Sequence, residues 1–297
     1  MKKSLLFLAG AFLFVSSSFA KGGKDSLEMI MEIQQKFVDS VEKSMNYQTG
    51  SISLDGGFAK LNIPEGFKFL NAAQSNYVIT ELWGNPPRKD VLGMLFPADG
   101  GPFVEKSYAF IISFDPMGYV KDGDADDINY DDMMKEMQKE EVEENKTRAQ
   151  QGYEPIHIVG WATKPFYDKN NKVLHWAKNL KFGNGQGNTL NYDVRILGRK
   201  GVLSMNAVAT MEELELVKKD IDKVLKIPAF TEGNMYKDFD SNIDNVAAWT
   251  VGGLVAGKVL LKVGFFAKFW KIIMIGVVAI GAGIKKLLGK KSSSEVA

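Results

Sequence analysis

Cysteine is absent from all 297 residues. No disulfide can staple this fold, so its stability must come from a packed core. Nor is there a thiol to carry a lipid or to act as a nucleophile. Histidine is nearly as scarce, with His157 and His175 the only two. Structural zinc sites usually draw four ligands from Cys and His; a His pair with carboxylates is the remaining route to a site, against which both histidines read as ordinary strand residues. Catalytic signatures are missing too. There is no His-Glu-x-x-His, no P-loop and no Gly-x-Ser-x-Gly. Ser40-Val-Glu-Lys43 fits Ser-x-x-Lys, yet no Lys-Thr-Gly follows it, and it reads as chance. Gly183-Asn-Gly-Gln-Gly187 lies between two strand patterns with no helix after it, so it reads as a hairpin loop and not as a phosphate cradle. No catalytic residue is assigned and no cofactor is expected.

Acids are missing from the stretch Val246 to Leu288, which is apolar apart from single lysines and one threonine. A spanning helix needs about 20 mostly apolar residues. Phe269–Leu288 supplies that length if Lys271, Lys285 and Lys286 reach toward the headgroups. In the single-span reading, Val246–Phe266 lies in the interface or beside the span, with Lys290 and Lys291 inside. The competing reading makes Val246–Val263 a second span closing a hairpin. That places Lys258 within the bilayer, at about 3 kcal/mol if it is central. Gly253-Leu-Val-Ala-Gly257 would let two such helices pack closely.

The N-terminus fits export. Lys2 and Lys3 precede an apolar run, Leu5–Val15, and Ser18-Phe19-Ala20 offers small residues for cleavage after Ala20. The overall charge of +1 hides an asymmetry: residues 24–245 hold 26 basic against 35 acidic side chains. Such an acidic domain is repelled by nucleic acid, which is excluded as a partner. The expected division is a signal peptide at 1–20, an extracytoplasmic domain at 24–245, a membrane anchor at 246–289 and a basic tail at 290–297. The expected location is the plasma (inner) membrane, with the domain on its extracytoplasmic side.

Within the domain, apolar spacing predicts helices over Leu27–Met45, Ala72–Trp83, a stretch opened by Asn129, and Met211–Leu225. Strand patterns cover Ser51–Leu54, Phe58–Ile63 and Tyr108–Phe114. Four more follow in succession: Ile156–Thr163, Lys172–Phe182, Thr189–Leu197 and Val202–Ala209. Links between them are short, as in an antiparallel meander. Strands and helices do not alternate regularly, so the expected class is α+β: an antiparallel β-meander flanked by helices, with a C-terminal membrane helix or hairpin. Register is ambiguous. A pairing symmetric about the Gly183–Asn188 loop sets Lys178 opposite Asp193 and Trp176 opposite Arg195. A one-residue slip joins Trp176 and Leu180 to the apolar set Leu190, Tyr192, Val194 and Ile196, and is favoured because burial outweighs an exposed ion pair.

Several motifs occur together: Glu81-Leu-Trp-Gly-Asn-Pro-Pro87, Gly118-Tyr-Val-Lys-Asp-Gly-Asp-Ala125, Gly160-Trp-Ala162, His175-Trp-Ala177, and Leu190-Asn-Tyr192 through Leu197-Gly-Arg199. In combination they resemble the membrane-anchored bacterial family known as domain of unknown function 2167, over nearly the whole mature chain. The resemblance implies topology and carries no chemistry.

Three sets of side chains are candidates for a site. Asp122, Asp124 and Asp126 alternate like calcium ligands. The sixth and twelfth positions of that loop would be Asp127 and Met133, however, so it is no EF-hand, and weak cation binding competes with a solvated loop that caps the next helix. Trp161, Tyr167, Asp168, Asn191, Arg195 and Arg199 combine aromatic and polar groups suited to a sugar or peptide, or equally to a β-sheet core with charged edges. Gly253 and Gly257 suit helix packing. The reading is therefore a binding or interaction module at the cell envelope, whose partners are the lipid bilayer and another envelope protein or a glycan. The alternative is an envelope hydrolase with an acid pair such as Asp168 and Asp193, at a separation only a structure can give.

Overall fold

A computed structural model of the chain describes residues 24–83, 88–104, 106–150, 154–183 and 187–256, to which all structural statements refer. The expected signal peptide at 1–20, the expected span Phe269–Leu288, Gly257 and the tail at 290–297 lie outside the described residues. The chain divides into two parts, residues 1–46 and 47–297. In the first, α1 (Lys24–Ser44) is a 21-residue helix with an i,i+4 pair between Glu32 and Lys36 at 2.7 Å.

The second part is built on a seven-stranded sheet of β3 (Phe67–Asn71), β4 (Val91–Pro97), β5 (Ala109–Asp115), β7 (Ile156–Asp168), β8 (Val173–Phe182), β9 (Thr189–Leu197) and β10 (Val202–Thr210). Their spatial order is β3-β4-β5-β10-β9-β8-β7, antiparallel throughout. A small sheet joins β1 (Gly50–Ser53), β2 (Ala59–Ile63) and β11 (Pro228–Phe230). A parallel pair joins β6 (Tyr119–Lys121) to β12 (Val246–Thr250). The helices are α2 (Ala72–Tyr77), continued by a π-helical turn to Leu82, then α3 (Tyr130–Gln150), α4 (Leu214–Val224) and α5 (Val251–Ala256).

Both faces of the large sheet are covered, and this decides the register. On one face, Val173, Ala177, Leu190, Tyr192, Val194, Ile196, Leu203 and Met205 pack with Leu61 and Ile63 of the small sheet and with Val217, Ile221 and Val224 of α4. On the other, Leu174, Trp176, Leu197 and Val202 pack with Val120, Tyr236 and α5, while Leu180 and Phe182 pack with Met134 and Met137 of α3. The pairing is Trp176 with Asp193, Ala177 with Tyr192 and Lys178 with Asn191. The one-residue slip expected from the sequence is therefore wrong. That expectation assumed one buried face, but two buried faces let Leu174, Trp176 and Leu180 find an apolar partner layer of their own, away from Tyr192 and Val194.

Other boundaries shift as well. Lys164–Asp168, expected as a link, continues β7 through three register shifts. Strands β3, β4 and β6 carry no strong alternation and went unread. The predicted helix to Trp83 is α-helical only to Tyr77, with Asn71 Oδ1 accepting from Gln74 N at 3.0 Å as its cap. Asn129 caps α3 as expected, its Oδ1 accepting from Asp131 N and Asp132 N at 3.1 Å each. Past its methionines, α3 is polar for a reason that sequence periodicity does not reveal. β7 is an edge strand, and an edge exposes unpaired backbone groups. Asn145 Nδ2 donates to Ile156 O and its Oδ1 accepts from Ile156 N, both at 2.8 Å. Glu141 Oε2 accepts from Ile158 N at 2.6 Å, and Gln138 Nε2 donates to Ile158 O at 2.9 Å. The side chains of α3 thus stand in for a missing strand.

The domain also runs past residue 245. Val246–Thr250, expected to begin the anchor, pairs with β6, and Val251 and Val255 of α5 are fully buried. Among the described residues no helix is long and apolar enough to cross a membrane.

Candidate functional site

The sheet register collects polar side chains at one place on the second face. Lys178 of β8 lies opposite Asn191 of β9, Trp176 opposite Asp193, Asp193 opposite Asn206 of β10, and Arg195 opposite Ser204. Directly opposed residues have Cβ atoms about 5 Å apart, so these groups are neighbours. They are enclosed: Asn191 and Asp193 have no exposure and Lys178 has 2%.

Charge in this enclosure is only partly paired. Arg195 Nη2 donates to Asp193 Oδ1 at 2.8 Å, and Asn206 Nδ2 donates to the same oxygen at 3.1 Å. The Arg195 guanidinium also lies over the Trp176 ring at 5.6 Å, a cation–π distance. Lys178 Nζ reaches Val255 O of α5 at 3.4 Å and lies 5.9 Å from the centre of the Trp161 ring. Burial pushes its ammonium below the ordinary lysine range, opposed by the nearby Asp193 and Glu144 carboxylates and reinforced by Arg195. Four buried atoms have no hydrogen-bond partner: Asp193 Oδ2, Asn191 Oδ1, Asn191 Nδ2 and Trp176 Nε1. Leaving a buried polar group unsatisfied costs about 1–3 kcal/mol. Other such atoms occur singly among the described residues, at Asp124, Thr163, Asn179 and Thr210, whereas here four converge on adjacent rungs, which marks a place built for something more than packing.

Of the candidates read from sequence, Asn191 and Arg195 belong to this cluster and Trp161 borders it, its Nε1 donating to Tyr130 O at 3.1 Å. The others do not. Arg199 clamps a distant loop, with Nε donating to Asp244 Oδ2 at 2.6 Å and Nη1 to Gly233 O at 3.1 Å. Asp168 organises the β7–β8 turn, its Oδ1 accepting from Asn170 N at 2.9 Å and Asn171 N at 3.1 Å. Because Asp168 pairs with Val173 of the first face and Asp193 with Trp176 of the second, the two carboxylates point to opposite sides of the sheet. They cannot act as an acid pair, which removes that example of one. Sequence reading missed Lys178, Trp176 and Asn206. The available signal was Lys178 itself, the lone charge on the strand face formed by Leu174, Trp176, Leu180 and Phe182.

The acidic loop is already engaged. Asp122 Oδ2 accepts from Tyr167 OH and Lys172 Nζ at 2.8 Å each, and its Oδ1 accepts from Tyr236 OH at 3.0 Å. Burial raises the Asp122 carboxyl, but these hydrogen bonds from Lys172, Tyr167 and Tyr236 outweigh it and hold it below the usual range. Tyr167 therefore belongs to this node and not to a groove. Asp124 Oδ2 accepts from Gly252 N of α5 at 3.0 Å, and Asp126 pairs with Lys169. The capping role expected for this loop thus falls to a helix more than a hundred residues away and not to the next one. Gly253 lies on α5, where an added Cβ would meet the Trp249 ring at 2.9 Å. No group of three or more metal-ligating side chains occurs among the described residues.

Comparison with known proteins adds the following. The chain resembles the solution structure of cyanobacterial PsbP (CyanoP) from Synechocystis sp. PCC 6803 at 10% identity and a TM-score of 0.34, covering 63% of this chain and 94% of that one. It resembles the Ran-binding protein Mog1p of Saccharomyces cerevisiae at 12% identity and a TM-score of 0.31, covering 62% and 95%. No curated protein matches. A family match extends over residues 46–284, and the chain belongs to that family, described as protein of unknown function (DUF2167).

Proposed function

We propose that the protein is a binding or interaction module of the bacterial cell envelope, exported by its leader and tethered to the plasma membrane by its C-terminal apolar stretch. The observation that carries the reading is how the domain meets that stretch. β12 and α5 form the first residues of the apolar run; β12 is held by pairing with β6, and α5 by Asp124 at Gly252 N and by Lys178 at Val255 O. On this reading the enclosed polar cluster lies at the root of the tether, and its contacts to α5 support a binding role there. Of the two readings the binding module is preferred, since the Asp168 and Asp193 carboxylates named for an envelope hydrolase lie on opposite sides of the sheet. The test is capture of partners by the full chain after cross-linking in intact cells, with fractionation of the membranes. A reproducible envelope partner and a membrane-bound chain support the proposal; recovery of the chain as an unattached protein refutes the tether. Topology is read with Ser294→Cys, the chain having no other thiol. Labelling of intact cells by an impermeant maleimide would reject a single span.

A further inference from the structure

We propose that the enclosed polar face of β8, β9 and β10 is a binding site for a small zwitterion, a free α-amino acid, with its carboxylate against Lys178 and its ammonium against Asp193. The inference deepens the binding reading and rests on it, but does not depend on the tether. Its basis is the unmet atoms. Trp176 Nε1 and Asn191 Nδ2 are donors without acceptors, while Asp193 Oδ2 and Asn191 Oδ1 are acceptors without donors. An ammonium has three donor hydrogens, and Lys178 directs a 3.4 Å bond at Val255 O. Exchanging the two amide atoms of Asn191 changes nothing, because both are unpaired.

Charge selects the class of guest. A simple anion is attracted by Lys178 but meets the free oxygen of Asp193 and the nearby Glu144 carboxylate. A simple cation is attracted by those carboxylates but meets Lys178 and Arg195. An apolar guest leaves every unmet atom unmet. Of these classes of guest, one carrying both signs close together satisfies the set. Register sets the scale: Lys178 faces Asn191 and Trp176 faces Asp193, two adjacent rungs roughly 7 Å apart along the strand. That suits a molecule of glycine or alanine size. Because Asn191 and Asp193 have no exposure, the guest must be small and must arrive when α5 lifts from the sheet.

The experiment titrates the full chain, purified in detergent, with glycine, L-alanine and D-alanine, using acetate and methylammonium as half-ligand controls. Calorimetric binding of an amino acid and a rise in Tm are expected, with neither half-ligand reproducing them. Asn191→Leu should abolish binding and raise the Tm of the ligand-free protein, because it replaces two unmet polar atoms with apolar ones. Trp176→Phe keeps an aromatic ring, removes the N–H and should weaken binding about tenfold; it carries the test if Asn191→Leu fails to fold. No binding of any amino acid at tens of millimolar, or equal binding of acetate, overturns the proposal. So does a lowered Tm in ligand-free Asn191→Leu, which would mean that internal water already satisfies the amide. Partner capture is unaffected by any of these results, so the two readings fail separately.

Discussion

At the scale of single residues, the hydrogen-bond partner decides the role of each charge. The aspartates at 122, 124 and 126 have the spacing of calcium ligands, but Tyr167, Lys172, Tyr236, Gly252 and Lys169 already occupy them. Millimolar calcium is accordingly expected to leave the Tm almost unchanged; a rise of several degrees, lost in Asp124→Asn, would contradict this. His175 supplies a pH signature. Burial pushes its imidazolium below the ordinary value of about 6.5, while its Nδ1 lies 3.0 Å from Tyr192 OH. The same burial pushes the Tyr192 phenol up to about 12. The unfolded chain binds a proton at His175 more readily than the folded one. Its contribution is fully present above about pH 6.5 and is lost as pH falls through the folded value. Asp122, held low, acts with the same sign in a lower window, below about pH 4. Tm measured against pH should therefore fall in two steps, and His175→Gln should flatten only the upper one. An unchanged upper step would show that another group titrates there.

At the scale of elements, α3 serves as a substitute strand. Asn145→Ala deletes both bonds to Ile156 and should cost about 1–3 kcal/mol, since it leaves a backbone N–H and C=O at the sheet edge without partners. Hydrogen exchange of the Ile156 amide should speed up with it, and unchanged protection would refute the edge-capping account. The β6–β12 crossing is tight for a different reason. Gly118 has φ of +96°, and an added Cβ would lie 2.7 Å from Asn245 O. Gly118→Ala combines an unfavourable backbone with a clash, and should destabilise by roughly 1–3 kcal/mol in thermal or denaturant unfolding.

At the scale of the molecule, the last described elements are part of the domain. A chain cut at residue 245 loses the buried Val251, Leu254 and Val255 and uncovers Val120, Leu174 and Trp176. At about 1.5–3 kcal/mol for each buried aliphatic side chain, the loss approaches the stability of a whole domain. A chain ending at 256 should melt cooperatively and well above one ending at 245. Equal melting temperatures would show that α5 adds nothing to the fold.

By itself the sequence determined the α+β class, all seven predicted strand segments and all four predicted helical segments, because each carries a local signal: period-two alternation, a cap residue, a glycine turn. It also placed Asn191, Arg195 and Trp161 among the candidates, by residue type alone. Register, the second buried face and the enclosure of Lys178 beside Asp193 were decided only by tertiary structure. Pairing by one residue or two is a global choice, made by how many faces are covered, and no strand carries that information within itself. The same holds for Asp124, whose partner amide at Gly252 is brought to it by the fold and not by the chain.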